Sequence, residues 1–421
     1  MATRYFLLLA GVLAMIPAAL QAQPIDPKVQ ARIDRILKAT PLIDGHNDLP
    51  GQLADNYKRS VEGLTSGTDQ RKVPLMTDMA RLHQGDVGAQ FWSVFIDSSI
   101  HGDEAIRQTL QEIDIVDRMV HAYPNDLEMA YTADDIVRIH REGKIASLIG
   151  IEGGHQIGGS LAALRQFYRL GARYMTLAHF TNSDVADSAT DDPKWNGLSP
   201  FGRTVVGEMN RIGMLVDLAH VSAKTMKDAI AVSKAPVIFS HSSAMAIADH
   251  PRNVPDDVLQ LLPANGGVVM VNFYSGYVSD AARKWNAEEG AEEARLKALL
   301  VGRPKEREAA LDAWKKANSE PPATVGQVAD HIEHIVKIAG YDHVGIGGDL
   351  DGIPYEEAPA GMNSVSGYPL LFAELIRRGW SDENLSKLAG GNLLRVLRQA
   401  ETVSASMKNV PPAMADIDTG P

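Results

Sequence analysis

The chain has 421 residues, 45% hydrophobic and 22% charged, which suits a soluble globular protein with one large core or two smaller ones. Its formal net charge of −12 argues against a nucleic-acid partner, because phosphate binding needs a basic face and no Lys/Arg stripe is present. Cysteine is absent, so disulfides, thiolate nucleophiles and thiolate metal sites are excluded, and any metal must be held by nitrogen and oxygen.

In chain order, the first predicted element is a secretory leader at 1–22: Arg4, an apolar stretch from Tyr5 to about Leu20, and small Ala22 as a cleavage point. An exported protein, periplasmic or secreted, is expected; a retained anchor is the alternative. The segment 23–402 is expected to form one domain. It contains eight short apolar runs, at 42–43, 91–96, 148–151, 174–177, 214–216, 237–239, 268–271 and 344–346, with helical patterning between them. Near-continuous Val/Ile/Leu runs are what strands buried on both faces look like, and helical crossovers make them parallel. A (β/α)₈ barrel is the economical fold, with an open doubly wound sheet as the alternative. The segment 279–323 is rich in Ala, Glu, Lys and Arg and predicts a solvated helical insertion before the last strand. A final helix is expected behind a cap at Ser381, through Leu385, Leu388, Leu393, Leu394, Val396 and Leu397. The segment 403–421 is expected to be a disordered tail. No second apolar run of spanning length and no hydrophobic lipid-anchor signal is seen.

Polar residues stand just after the apolar runs: His46 and Asp48, Asp97, Glu152, His179, His220, His241, Asn272 and Asp349. In a parallel barrel these are the carboxyl ends of the strands, where active sites are built. His46 and Asp48 are two apart, so in extended geometry both side chains point the same way. Glu152 closes one run, and His220 and His241 close two others. Each alone reads as a satisfied core polar group; five convergent placements read as a metal site. Ligand arithmetic favours two ions. His46, Asp48 and one oxygen of Glu152 would hold the first, and the other oxygen of Glu152 with His220 and His241 the second. Such a pair, about 3.5–4 Å apart, binds a shared hydroxide and polarises a carbonyl, the arrangement that hydrolyses amides and esters. Imidazole and carboxylate ligands suit Zn²⁺ best, and Mn²⁺, Co²⁺ or Fe²⁺ also fit.

Six segments carry a family resemblance: Ile43-Asp44-Gly45-His46-Asn47-Asp48, Gly150-Ile151-Glu152-Gly153-Gly154-His155, Val216-Asp217-Leu218-Ala219-His220-Val221-Ser222, Ser240-His241-Ser242-Ser243-Ala244, Arg252-Asn253-Val254-Pro255-Asp256 and Gly347-Gly348-Asp349-Leu350-Asp351-Gly352. In this order, over about 30–400, they resemble the membrane (renal) dipeptidase family of zinc peptidases. The resemblance implies an amidohydrolase-type barrel, a binuclear zinc site and hydrolysis of dipeptides with free amino and carboxyl ends. It implies His46, Asp48, Glu152, His220 and His241 as ligands and Asp349 as the acid/base, a choice over Asp351 that rests partly on the resemblance. It further implies His179 as the oxyanion contact and Arg252 as the partner of the substrate carboxylate. Tyr274, just past the strand end at Asn272, is expected at the substrate pocket, with packing as an equal account. His155 is expected to be structural, since a Gly-Gly turn separates it from Glu152. His83, His101, His121, His140, His250, His331, His334 and His343 are read as surface or structural residues. The lack of cysteine rules out the disulfide-linked dimer of the vertebrate members, while a noncovalent homodimer is compatible. Two rival functions stay in view: another binuclear hydrolase on the same scaffold, such as a lactonase, phosphotriesterase or deaminase, and a non-catalytic periplasmic binding protein.

Overall fold

The computed structural model describes residues 24–415 and residue 417; the expected leader at 1–22 lies outside the described residues. Nine parallel strands are present among them: β1 (Leu42–Asn47), β2 (Val87–Val94), β3 (Leu127–Met129), β4 (Ile145–Glu152), β5 (Ala172–Thr176), β6 (Leu215–Asp217), β7 (Ile238–Phe239), β8 (Val268–Val271) and β9 (Val344–Ile346). Eight of them close a ring in the order β1-β2-β4-β5-β6-β7-β8-β9, shut by the pairings of β1 with β9 and β2 with β4. The closed ring excludes the open-sheet alternative. The ninth strand, β3, pairs only with the start of β4, at Ile145, Ala146 and Ser147, before β5 takes over that edge at Ile149. Sequence reading missed it because it is three residues long with Glu128 at its centre.

Alternation along the strands sorts the core into two layers. Ile43, Phe91, Leu148, Tyr174, Val268 and Met270 fill the barrel interior. Leu42, Trp92, Ile149, Met175, Val269 and Val271 pack outward among the surrounding helices. The helix Asn392–Ser406 buries Leu393, Leu394, Val396, Leu397 and Ala400 in the interior cluster. The Asn392 amide donates to the carbonyl of Val344, and Arg395 to that of Gly266, so this helix shuts the amino-terminal end of the ring. The opposite end is left for chemistry.

Two expectations about the later elements change, and the solvated insertion is as expected. The final helix is two helices joined by a π-helical turn: Ser381 caps Asp382–Ser386, Lys387–Gly391 forms the turn, and Asn392–Ser406 completes the pair. The segment from 403 on is not uniformly without order. The helix runs to Ser406, Arg165 donates to the carbonyl of Ala413 at 3.1 Å, and the Ile417 amide donates to Gly159 at 3.0 Å. Local composition could not show partners that lie on other elements. The insertion before β9 is a helical hairpin, Asp280–Leu299 and Pro304–Ala317, that buries only Ala282 and Leu296. Among the described residues, no helix is long and apolar enough to cross a membrane.

Candidate active site

Five side chains from four strand ends converge at the carboxyl end of the barrel. Nε2 of His46 lies 3.3 Å from Oδ2 of Asp48 and 3.3 Å from Oε2 of Glu152. The other oxygen of Glu152, Oε1, lies 3.1 Å from Nε2 of His220 and 3.3 Å from Nε2 of His241. The two latter nitrogens are 2.9 Å apart. The Glu152 carboxylate thus presents one oxygen to each of two ligand groups, His46–Asp48 and His220–His241. Convergent imidazole lone pairs around a carboxylate suit divalent metal binding, and no thiolate is available to favour a softer metal. Asp48 reaches the group differently from the expected extended pair. The register slips within β1 between Asp44 and Asn47, and Asp48 is already the cap of the helix Leu49–Asn56, at φ −96° and ψ 22°. The turn, rather than the pleat, brings it beside His46.

Each imidazole is oriented from behind. Nδ1 of His46 is 2.8 Å from the Tyr174 hydroxyl, which donates to the Gly45 carbonyl and therefore receives the His46 proton. That leaves the Nε2 lone pair for a metal. Tyr174 crosses the interior because Gly150 faces it; a Cβ at Gly150 would stand 2.0 Å from its ring. Nδ1 of His241 is 2.8 Å from Oγ of Ser240, which donates to Asp217 at 2.7 Å. Burial, then Arg252 and His179, holds the His220 imidazole well below its usual pKa, and burial with His46 does the same for His241. Both are thereby held neutral, the form in which an imidazole can ligate a cation. Burial works against charge on His46 and Glu152 as well. Tyr174, Glu152 and Asp48 nonetheless hold His46 well above its usual range, and His46 with His179 holds Glu152 well below it.

Asp349 stands at the rim of this group. Its Oδ2 accepts from Nδ2 of Asn272 at 2.8 Å, and its Oδ1 is 3.9 Å from Nε2 of His46. Burial, with Asp48 and Glu152 close by and against the pull of His46, pushes its carboxyl up to about 8. Asp351 is turned away, with its Oδ1 accepting from the Met76 amide at 2.7 Å. Nε2 of His179 is 3.5 Å from Oε1 of Glu152. These side chains open onto a cavity of about 390 Å³, which Arg252 and Tyr274 also line. Arg252 is only 1% exposed, and its Nη2 donates to the His241 carbonyl at 3.2 Å. Its Nε and Nη1 have no hydrogen-bond partner. The hydroxyl of Tyr274 accepts from Asn286 of the helical hairpin at 2.9 Å, tying the insertion to the pocket wall.

Two strand-end residues lie elsewhere. Asp97 is exposed and bonded to Ser99, three residues past the end of β2. His155 is buried against the Ile96 carbonyl, where burial pushes it down to about 4, a structural role. Sequence reading missed Gln52, Asp55, Phe95, Phe180 and Tyr277, all in the cavity wall. The signal that could have found Phe180 is its place directly after His179; Tyr277 carries none, since its ring meets Arg252 only in the folded chain, with Cζ 5.3 Å from the ring centre.

A model of the membrane dipeptidase family, peptidase family M19, matches residues 30–411. Dipeptidase verJ of Clonostachys rogersoniana is 41% identical over 386 residues, covering 89% of this chain and 88% of that protein. An uncharacterized dipeptidase of Schizosaccharomyces pombe is 42% identical over 390 residues, covering 89% and 85%. Among solved structures, the probable dipeptidase PvdM from Pseudomonas aeruginosa has a TM-score of 0.76 at 27% identity, covering 89% of this chain and 99% of that one. A metallo peptidase from Rhodobacter sphaeroides, solved with a phosphinate mimic of the dipeptide L-Ala-D-Ala, shares the fold at a TM-score of 0.70 and 22% identity, over 86% and 99%. With the family model spanning the barrel from end to end and the candidate ligands converging at its mouth, the chain belongs to the membrane dipeptidase family of metallopeptidases.

Proposed function

We propose that the protein is a metal-dependent dipeptidase hydrolysing the peptide bond of free-ended dipeptides. The observation that carries this reading is Arg252. Arg252 lines the cavity beside the ligand cluster, only 1% exposed, and its Nε and Nη1 have no hydrogen-bond partner within the chain, which suits a guanidinium that binds a carboxylate. A planar fork of N–H donors matches a carboxylate, and its fixed distance from the cluster limits the substrate to a short peptide. His46, Asp48, Glu152, His220 and His241 would hold two Zn²⁺ ions, for which Mn²⁺ or Co²⁺ could substitute. Such a pair, when bound, polarises the scissile carbonyl and supplies hydroxide at neutral pH. The chain's own residues do the rest. Arg252 anchors the C-terminal carboxylate, His179 donates from Nε2 to the developing oxyanion, and Asp349 takes the proton of the attacking water and delivers it to the leaving nitrogen. Export across a membrane belongs to this reading, supported by the leader-like segment 1–22.

The test is turnover of free L,L- and L,D-dipeptides, N-acetylated dipeptides and dipeptide amides, with and without a chelator, by the wild type and by Arg252→Ala. Expected is chelator-sensitive cleavage confined to substrates with a free carboxylate. In Arg252→Ala, kcat/KM should fall roughly 30-fold or more, the scale of removing one partner of a buried charge pair. Turnover of neutral lactones or phosphotriesters that equals dipeptide turnover and survives Arg252→Ala would replace this reading with another hydrolase of the scaffold.

A further inference from the structure

The pocket wall across the ring from Arg252 is aromatic. Arg252 lies past the end of β7, and its guanidinium sits at the His241 carbonyl and against Tyr277, just past β8. Phe95 is the first residue past β2, and Phe180 lies just past β5, with only β4 between these strands in the ring. In an eight-membered ring the β2–β4–β5 arc faces the β7–β8 arc. Phe95 and Phe180 flank the His179 ring, with centroids at 4.4 and 4.2 Å, and Phe180 stands edge-on to His220 at 5.2 Å. Both line the cavity, and Phe180 is 50% exposed. A single exposed Phe on a convex surface is ordinary, but two rings in a concave wall beside a polar cluster offer apolar area that only a bound group can cover.

A dipeptide whose carboxylate sits on Arg252 and whose scissile carbonyl lies over the cluster must run its N-terminal residue away from Arg252, toward this arc. We infer that Phe95 and Phe180 form the subsite for the side chain of the N-terminal residue. The substrate class is then dipeptides whose N-terminal residue is large and apolar, aliphatic or aromatic, with Phe180 as the specificity-determining residue. The inference rests on the dipeptidase reading. The competing class is set by the adjoining sector of the cavity, where Asp55 of the helix Leu49–Asn56 would favour a cationic side chain.

The test is kcat/KM of the metal-loaded enzyme for X-Ala dipeptides with X as Gly, Leu, Phe or Lys, measured for the wild type, Phe180→Ala and Phe180→Leu. Expected is a wild-type preference for Phe-Ala and Leu-Ala over Gly-Ala of roughly 10–100-fold, the range an apolar pocket supplies. Phe180→Ala should cut that ratio by about tenfold or more, chiefly through KM, and Phe180→Leu should keep most of it. A Phe180→Ala variant slower on all four substrates alike, with the ratio intact, would overturn the inference, because the ring would then only support His179. A wild-type preference for Lys-Ala would overturn it in favour of the Asp55 sector. In both cases the dipeptidase reading stands; a wild type that cleaves none of the four removes that reading and the subsite together.

Discussion

Asp349 and His220 hold φ of 60° and 66°, a left-handed backbone that costs a non-glycine residue of order 1–3 kcal/mol. Both face the cluster, so the surrounding fold maintains the geometry there against local preference. Asn tolerates this conformation well and can keep the contact to Asn272. Asp349→Asn should therefore fold and retain its metal content by elemental analysis, while kcat falls by roughly 10²–10⁴, the scale of a lost general acid/base. Near-normal kcat would remove Asp349 from the chemistry. Ser240 acts through another residue, since its hydroxyl links His241 Nδ1 to Asp217. Ser240→Ala leaves that imidazole N–H without its acceptor, and metal affinity should drop by roughly 10–100-fold in competition with a chelator. Unchanged affinity would show that His241 needs no such support. At this scale the sequence revealed residue types but not orientation. Asp349 and Asp351 are two apart and would share a face on a continuing strand. The chain instead turns through φ 60° and 65°, sending Asp351 to the Met76 amide.

Helix Gly102–Ala122 packs on helix Leu49–Asn56, which begins at the candidate ligand Asp48, and carries Glu112, 6% exposed with one carboxylate oxygen unpartnered. Burial, together with Asp55 and Asp48 and against Arg59, pushes Glu112 up to about 8. Its unfolded pKa is near 4.3. Between these values the folded chain binds a proton that the unfolded chain has released. Stability from this group is thus complete below about pH 4 and is lost as pH rises toward 8. Glu112→Gln should flatten that slope: its Tm relative to wild type should rise between pH 5 and 8 by an amount equivalent to a few kcal/mol. A Tm difference constant across that range would mean that Glu112 titrates normally. Elements were legible where their signal is local. The Ser381 cap and the strands Val268–Val271 and Val344–Ile346 fall where apolar runs and capping chemistry place them. β3 and the π-helical turn at Lys387–Gly391 were not legible, because an edge pairing with β4 and a tight approach to the barrel leave no periodic trace.

For the molecule as a whole, the candidate ligands come from β1, β4, β6 and β7 at one end of the ring, so a metal held by them would link its binding to folding. Removing the metal with a chelator should abolish activity and lower Tm by roughly 5–10 °C, the effect of losing a ligand present at about a thousand times its Kd. Loss of bound metal with an unchanged Tm would sink the assignment of ligands to separate strands. Fold class and the convergence of the candidate ligands could be read from the sequence alone, because buried parallel strands impose continuous apolar runs and a barrel gathers the residues at their carboxyl ends around one mouth. Tertiary structure alone decided how those residues are used. The turn that sets Asp48 beside His46, the Arg252 guanidinium against Tyr277 and the Phe95–Phe180 wall each depend on side chains brought together in the folded chain. Distance along the chain carries no information about such meetings, because ring closure, not local periodicity, sets them.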